Sequence, residues 1–487
     1  MLRLSLPLLV LAATALAILF TSPGGHYGLF LAVVPFLAAA THGVSATAVI
    51  GALTVGTYAL LRYEVSSEGA GVWSIKLGLV AAAAVVGVLL SQARAREREL
   101  HRSRDTALTL QRGLLPREFP GNSAVETGSR YVPADSAAGV GGDWFDVIPL
   151  SGARVALVMG DVVGHGLHAA ATMGRMRTAV HTLADLDLAP DELLARMDDL
   201  VHRMNGDQGA GELGASCLYM VYDPISRECC IASAGHTPPA FIAPDGAIEV
   251  RPNTANPPLG FGAAPFETAC VTLPEGTVIA LYTDGLLDLR HREADEAITA
   301  LAAALLPATG SLQKICNRVL DGLPAVHDDD MALLLARTRT LDERHVATWQ
   351  YPAVPEQVPA ARAALTGQLE SWGLAEQAFA MELVVTELVT NAVRHARGPV
   401  TVRLIQDDAL ICEVSDGSST SPHARRAQPL DEGGRGLYLV GQLVDRWGTR
   451  YTGSGKTIWA EKRLDQPADD LSLVPAVLPA TPALADE

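Results

Sequence analysis

Apolar residues are unevenly spread along this chain. They first run in four blocks, 4–20, 28–40, 44–61 and 75–90, separated by short Gly, Ser and Pro stretches. A helix needs about 20 apolar residues to cross a bilayer, and about 17 suffice. The blocks therefore predict a helical membrane domain over 1–91 with about four transmembrane helices, the second of them short. The first block alone has the look of a signal peptide, but three more apolar blocks follow and no clean small-residue cleavage site precedes them. Arg94, Arg96, Arg98, Arg102 and Arg104 crowd the exit of the fourth block. Positive charge collects on the cytoplasmic side. That end is therefore expected in the cytoplasm, the loop with Glu64 and Glu68 outside, and Arg3 inside.

Over 92–120 the pattern becomes charged and helical. Leu100, Ala107, Leu110 and Leu114 recur at spacings of seven, three and four, a short heptad stripe. Two readings stay open: a solvated amphipathic helix resting on the next domain, or a parallel signalling helix that makes the chain a homodimer. Pro116 and Pro120 end it. From 121 to 338, β-rich runs alternate with helical periods. Runs 154–159 and 278–282 deliver Asp161 and Asp284 at their ends, and 217–222 and 228–233 flank Asp223-Pro224 as a hairpin. Stretches 167–184 and 191–204 have a helical period. Residues 339–350 are charged and predict a linker. From 351 to 464 the order is helix, helix, strand hairpin, glycine loop, helix, strand. The stretch 465–487 has the composition of a disordered tail.

Composition sharpens this picture. At 487 residues the chain has room for several domains of about 100–200 residues each. The net charge of −17 argues against a nucleic-acid partner, which calls for clustered Lys and Arg. The six cysteines, 217, 229, 230, 270, 316 and 412, sit in apolar runs without metal-ligand spacing and predict buried, reduced thiols.

Four aspartate-bearing segments carry the first candidate chemistry: Gly141-Gly142-Asp143-Trp144-Phe145-Asp146, Gly160-Asp161-Val162-Val163-Gly164-His165-Gly166, Tyr282-Thr283-Asp284-Gly285 and Asp328-Asp329-Asp330-Met331. A lone Asp-Gly is usually a surface turn. Four such segments, each after an apolar run, suit a site for two hard cations, since Mg²⁺ and Mn²⁺ prefer carboxylates and a pair of them can drive displacement at phosphorus. In this order, with Ser233-Ala234-Gly235-His236 between, the segments resemble the metal-dependent (PPM-type) protein serine/threonine phosphatases, and within them the bacterial sporulation stage II protein E and stress-sigma-factor regulators. The resemblance implies a two-sheet α/β sandwich flanked by helices over 121–338. It implies two Mn²⁺ or Mg²⁺ ions on Asp143, Asp161, the Val162 carbonyl, Asp284 and Asp329, with Asp330 the competing assignment. Asp146 would stand behind these ligands, and His165 and His236 would be structural. The implied substrate is a phosphoserine or phosphothreonine protein.

A second set lies downstream. Glu387, Asn391 and His395 fall at i, i+4 and i+8 on one helix face, where a carboxylate and a carboxamide can act as base and ion ligand. Such spacing alone is usually a solvated face. Here a strand hairpin then ends on Asp416-Gly417, and Gly433-Gly434-Arg435-Gly436 opens a helix whose N-terminus suits phosphates. This set resembles the GHKL-type ATP-binding fold, an α+β sandwich, and most closely the anti-sigma-factor serine kinases. It implies ATP with Mg²⁺ on Asn391, Glu387 as base, Asp416 and Gly417 at adenine with Thr457 assisting, and Gly434 and Gly436 along the phosphates. Ser418-Ser419 follow where that fold often has a further glycine, which favours ATP binding over fast turnover. A sensor histidine kinase is disfavoured, because His101 precedes the phosphatase segments and lacks a following acidic residue. The expectation is a multi-pass protein of the bacterial cell membrane with its catalytic domains cytoplasmic. It would act on an anti-anti-sigma phosphoprotein, with a sigma factor as a further partner. The alternative makes the GHKL domain a non-catalytic adaptor that binds sigma factor or antagonist.

Overall fold

The computed structural model describes residues 2–20, 26–65, 70–114, 123–133, 141–164, 167–208, 214–251, 256–262, 265–287, 294–322, 329–395, 398–418, 436–452 and 455–464. The chain divides into two compact units, Met1–Leu108 and Thr109–Glu487.

The first unit holds α1 (Leu2–Phe20), a 3-10 turn at His26–Val33, α2 (Val34–Thr41), α3 (Val44–Val65) and the start of α4 (Ala70–Leu114). All four apolar blocks are helical. Among the described residues, two helices are long and apolar enough to cross a membrane, over Val44–Leu61 and Gly71–Glu99, while Leu6–Phe20 and Phe30–Thr41 are shorter. The fourth block and the charged helix after it form one unbroken element of 45 residues. Residues 88–112 contain neither Gly nor Pro, so nothing in them ends a helix.

In the second unit the elements are β1 (Val125–Val132), β2 (Trp144–Pro149), β3 (Val155–Val162), α5 (Leu167–Ala184), α6 (Pro190–Gln208), β4 (Ala215–Tyr222), β5 (Glu228–Ala234), β6 (Ala240–Ile242), β7 (Ile248–Val250), β8 (Ala269–Thr272), β9 (Val278–Tyr282), α7 (Ala294–Ala304), α8 (Leu312–Asp321) and β10 (Met331–Thr338). They build two antiparallel sheets, ordered β1-β10-β9-β6-β7 and β2-β3-β4-β5-β8. Side chains alternate across a strand, and β3 shows the result. Val155, Leu157 and Met159 join Phe241, Ile279, Leu281 and Leu334 between the sheets, whereas Ala156 and Val158 join Met173, Met176, Leu193 and Met197 of α5 and α6. The outer face of the other sheet packs on Ile298, Leu301, Ile315 and Val319 of α7 and α8. This is the helix-flanked two-sheet sandwich anticipated for 121–338.

One expectation is corrected. Cys230 and Cys270 are not reduced thiols but a disulfide, with Cα atoms 4.1 Å apart. They are register partners on β5 and β8, a pairing that 40 residues of separation conceal. The remaining thiols of Cys217, Cys229, Cys316 and Cys412 are buried, and burial pushes each up to about 12.

The C-terminal domain adds β11 (Val346–Tyr351), α9 (Val358–Ser371), α10 (Ala378–His395), β12 (Val400–Gln406), β13 (Ala409–Asp416), α11 (Gly436–Leu443), β14 (Arg446–Thr452) and β15 (Gly455–Arg463). Its sheet runs β11-β12-β13-β15-β14, with the three helices covering one face through Leu365, Val384, Leu388, Leu404, Val414 and Val440. Not all of 339–350 is linker, because the β-branched and aromatic run from Val346 pairs with β12.

The opposite face of this sheet meets the sandwich. Ile405, Ala409 and Ile411 pack with Ala153 in the β2–β3 turn, alongside Ile225 and Leu341. A charge network surrounds that contact. Glu413 accepts from Arg403 at 2.7 Å and from Arg450 at 3.1 Å, and Arg450 also donates to Ser151 at 3.0 Å. Ser151 and Arg154 both bond Asp187, the latter at 2.6 Å. Ser123 donates to Asp407 at 2.5 Å, and Arg446 reaches Asp185 at 3.3 Å.

Candidate functional sites

The aspartate segments converge at one end of the sandwich. In an antiparallel pair the start of one strand lies beside the end of its neighbour. Asp143 precedes β2 and Asp161 lies near the end of β3, paired with it. Asp284 follows β9, and Asp329 and Asp330 precede β10, again paired. Glycines bring the two pairs together. A Cβ at Gly141 would overlap the Asp330 carboxylate, one at Gly285 the Asp330 carbonyl, and one at Gly142 the Val162 carbonyl, with Asp161 Oδ1 at 2.9 Å. Val162 in turn donates to the Gly142 carbonyl at 3.2 Å. Behind them the Trp144 indole lies against Gly160.

These carboxyls strain one another. Burial, with the charges of Asp161 and Asp330, holds Asp143 well above the ordinary carboxylate value. Burial also pushes Asp161 up to about 6, against a hydrogen bond from Asp143 and with the charges of Asp284, Asp329 and Asp330 adding to it. Asp284 is raised by burial and Asp329. Asp143 Oδ2 is buried and has no hydrogen-bond partner among the described residues. Such an all-oxygen, mutually repelling set fits hard divalent cations. Of the two competing residues, Asp330 is buried and Asp329 exposed, and the Asp329 carboxylate accepts from the Asp330 backbone at 2.9 Å.

Asp146 is committed elsewhere. It accepts from Arg177 and bonds His181 on α5, each at 2.6 Å. Burial pushes its carboxyl up, but these partners outweigh that and leave it lowered. His236 bonds Ser216 at 2.7 Å, and burial pushes its imidazole down to about 4, so it stays neutral near pH 7. Thr283 is a residue the sequence reading missed. Its hydroxyl accepts from Ala332 at 3.0 Å and sits beside Asp143. His165 and Asp328 lie outside the described residues.

The second set gathers on the C-terminal sheet and α10. Glu387 and Asn391 are half-buried and His395 is exposed. A Cβ at Gly436, the first residue of α11, would overlap the Glu387 carboxylate. The α10 face and the exit of the glycine loop therefore meet. Asp416 ends β13 with its side chain 1% exposed, followed by Gly417. Thr457 on β15 is the register partner of Ser415, their hydroxyls 2.8 Å apart. Gly434 lies outside the described residues. Lys456 was not anticipated. It is the register partner of Asp416, and its amino group reaches Asp416 Oδ1 at 3.2 Å. Only the strand register, across 40 residues, reveals it.

Residues 151–339 match the family described as Stage II sporulation protein E (SpoIIE), and residues 351–462 match the histidine kinase-like ATPase domain. The chain joins a SpoIIE-type phosphatase domain to a histidine kinase-like ATPase domain. The phosphoserine phosphatase RsbP of Bacillus subtilis is 23% identical over 34% of this chain and 41% of that protein. RsbU of the same organism is 22% identical over 50% of this chain and 72% of that one. The chain thus spans less than half of RsbP. Among solved structures, the RsbU and RsbW domains of Rv1364c from Mycobacterium tuberculosis share 24% identity over 72% of this chain and 96% of that one, with a TM-score of 0.42. The SiaA phosphatase domain of Pseudomonas aeruginosa shares 20% over 50% of this chain and 98% of that one, at 0.42. In the SpoIIE-type domain the matched span begins at Ser151, so Asp143 and Asp146 lie just before it.

Proposed function

We propose that this chain is a membrane-anchored regulator that removes phosphate from the serine or threonine of a partner protein and holds ATP in its C-terminal domain. The observation that carries the first half is the meeting of Asp143, Asp161 and Asp330 around Gly141 and Gly142, with the carboxyls of Asp143 and Asp161 raised by burial and by neighbouring carboxylate charge. Two Mn²⁺ or Mg²⁺ ions, held by Asp143, Asp161, the Val162 carbonyl, Asp284 and Asp329 or Asp330, would supply an activated water and neutralise the leaving oxygen. The chain's own residues do the rest. Gly141, Gly142 and Gly285 let oxygens approach where a side chain would block them, and Asp146 pins β2 to α5. His236, neutral and bonded to Ser216, serves as packing rather than as an acid.

The likeness to RsbP and RsbU supports an anti-anti-sigma phosphoprotein as substrate, with partner switching on a sigma factor as the output. The two long apolar helices, Val44–Leu61 and Gly71–Glu99, support association with a bilayer, and our reading of the chain is a multi-pass cell-membrane protein. The arginines after Leu90 support cytoplasmic catalytic domains, and the heptad stripe of α4 supports a homodimer. In the C-terminal domain, Asn391 would hold Mg²⁺ of ATP and Glu387 act as base for phosphorylation of a related partner. A second reading, an adaptor that binds ATP and sigma factor or antagonist without phosphotransfer, is favoured by Ser418, whose backbone ties to Asp416 at 2.8 Å.

The test is phosphate release from serine-phosphorylated anti-anti-sigma proteins by the purified full chain, with and without Mn²⁺. Release that needs Mn²⁺ is expected. No release from any such protein, by a folded chain that binds Mn²⁺, would sink the proposed substrate class.

A further inference from the structure

Asp416 is unevenly satisfied. Its Oδ1 accepts two bonds, from the Ser418 backbone at 2.8 Å and from Lys456 at 3.2 Å. Its Oδ2 is buried and accepts none from the described residues. The side chains of Asp416 and Lys456 are 1% and 5% exposed, so this is a buried ion pair at the end of β13. A buried carboxylate without a positive neighbour is costly, and a buried acceptor without a donor is also costly. Lys456 offsets the first cost and, by occupying Oδ1, directs the second onto Oδ2. Gly455 fixes this arrangement from below. Its φ of 157° and its approach to the Asp416 carbonyl leave no room for a side chain, which keeps β15 close to β13.

We propose that Lys456 is a specificity-determining residue of the nucleotide site, fixing the Asp416 carboxylate so that only a purine bearing a 6-amino donor completes it. The inference rests on the ATP-binding reading above. With Oδ1 bonded twice, Oδ2 needs an N–H. Adenine offers one at position 6. Hypoxanthine and guanine offer a carbonyl there, which sets acceptor against acceptor. A site built to bond a donor rejects analogues that lack it far more strongly than an apolar pocket does.

The experiment is calorimetric titration of the full chain, in lipid nanodiscs, with Mg-ATP and Mg-ITP, which differ at position 6. Wild type is expected to prefer ATP by about 100-fold or more. In Lys456→Met, which keeps the stem and removes the charge, that preference is expected to fall below about 10-fold. Lys456→Arg, which keeps the charge, is expected to retain most of it. Since Lys456→Met strands a buried carboxylate, the double variant Lys456→Met/Asp416→Asn removes both charges and serves if the single variant does not fold. It is expected to bind both nucleotides within about 10-fold of each other. If Lys456→Met weakens ATP and ITP by the same factor, Lys456 only supports the fold and the proposal is wrong. If wild type binds ATP and ITP equally, the ATP reading stands and this inference falls. If it binds neither at millimolar concentration, both fall.

Discussion

Arg450 of the C-terminal sheet donates to Ser151 of the two-sheet sandwich at 3.0 Å, while its other nitrogen reaches Glu413 at 3.1 Å. One guanidinium thus links the two domains through side chains that are almost entirely buried. Removing one member of a buried ionic set costs about 3–5 kcal/mol, because the partner is left uncompensated. Arg450→Ala is expected to separate the melting of the two domains into two calorimetric transitions. A single transition at the wild-type temperature would mean that the network contributes nothing to their docking.

The same network predicts a pH dependence. Burial pushes the Glu413 carboxyl up, but Arg450, Arg403 and Arg154 outweigh it and leave it lowered. A group lowered in the folded state contributes stability above its unfolded value, about 4.3 for glutamate, and loses it as pH falls through the folded value. Glu413→Gln is therefore expected to be less stable than wild type at pH 7, with the gap closing below about pH 4. Urea unfolding at several pH values measures it, and a gap that widens on acidification would contradict the assignment.

At the aspartate cluster, Asp161→Ala is expected to lower Mn²⁺ affinity by at least about 100-fold, since even residues behind a ligand shell cost 10–100-fold. Circular dichroism should stay native. Mn²⁺ binding and phosphate release at wild-type levels in the folded variant would remove Asp161 from the site.

Glycine should matter there as much as aspartate. A Cβ at Gly142 would overlap the Val162 carbonyl and crowd Asp161 Oδ1 at 2.9 Å, so Gly142→Ala is expected to lose Mn²⁺ binding although every carboxylate is kept. Gly367 on α9, whose Cβ would meet nothing within 4 Å, is the control, and its alanine variant should bind Mn²⁺ normally. Equal behaviour of the two variants would show that close approach at Gly142 is not required.

In the ATP-like site, Asn391→Ala is expected to lose Mg²⁺-dependent nucleotide binding. Glu387→Ala is expected to keep binding and lose phosphotransfer, because a base acts only in the chemical step. A Glu387→Ala chain that regulates normally in cells favours the adaptor.

Local signals in the sequence carried far. The run 278–282 and the period over 167–184 coincide with β9 and α5, because alternation and amphipathic period are written within a few residues. Asp161, Asp284 and Asp416 could be found because each lies at the end of an apolar strand. What stayed hidden depends on long-range register. Cys230 meets Cys270, Asp416 meets Lys456, and Glu413 meets Arg450 only once strands from distant parts of the chain align. Within Asp328-Asp329-Asp330 the sequence offers three equal carboxylates, and burial distinguishes Asp330 from Asp329.

The β2–β3 hairpin joins two places that otherwise have nothing in common. Arg154, at its turn, belongs to the charge network, and Asp161, seven residues on, belongs to the aspartate cluster. At about 3.3 Å per residue the two are about 23 Å apart along a stiff strand. The hairpin is therefore a lever, with the C-terminal sheet at one end and the aspartate cluster at the other. A tilt of only about 3° moves the far end by about 1 Å over that length, half of a Mg²⁺–oxygen distance of about 2.0–2.1 Å. Mechanical play at the turn would be felt as lost coordination, so the firmness of the domain contact sets how well the remote carboxylates hold their geometry.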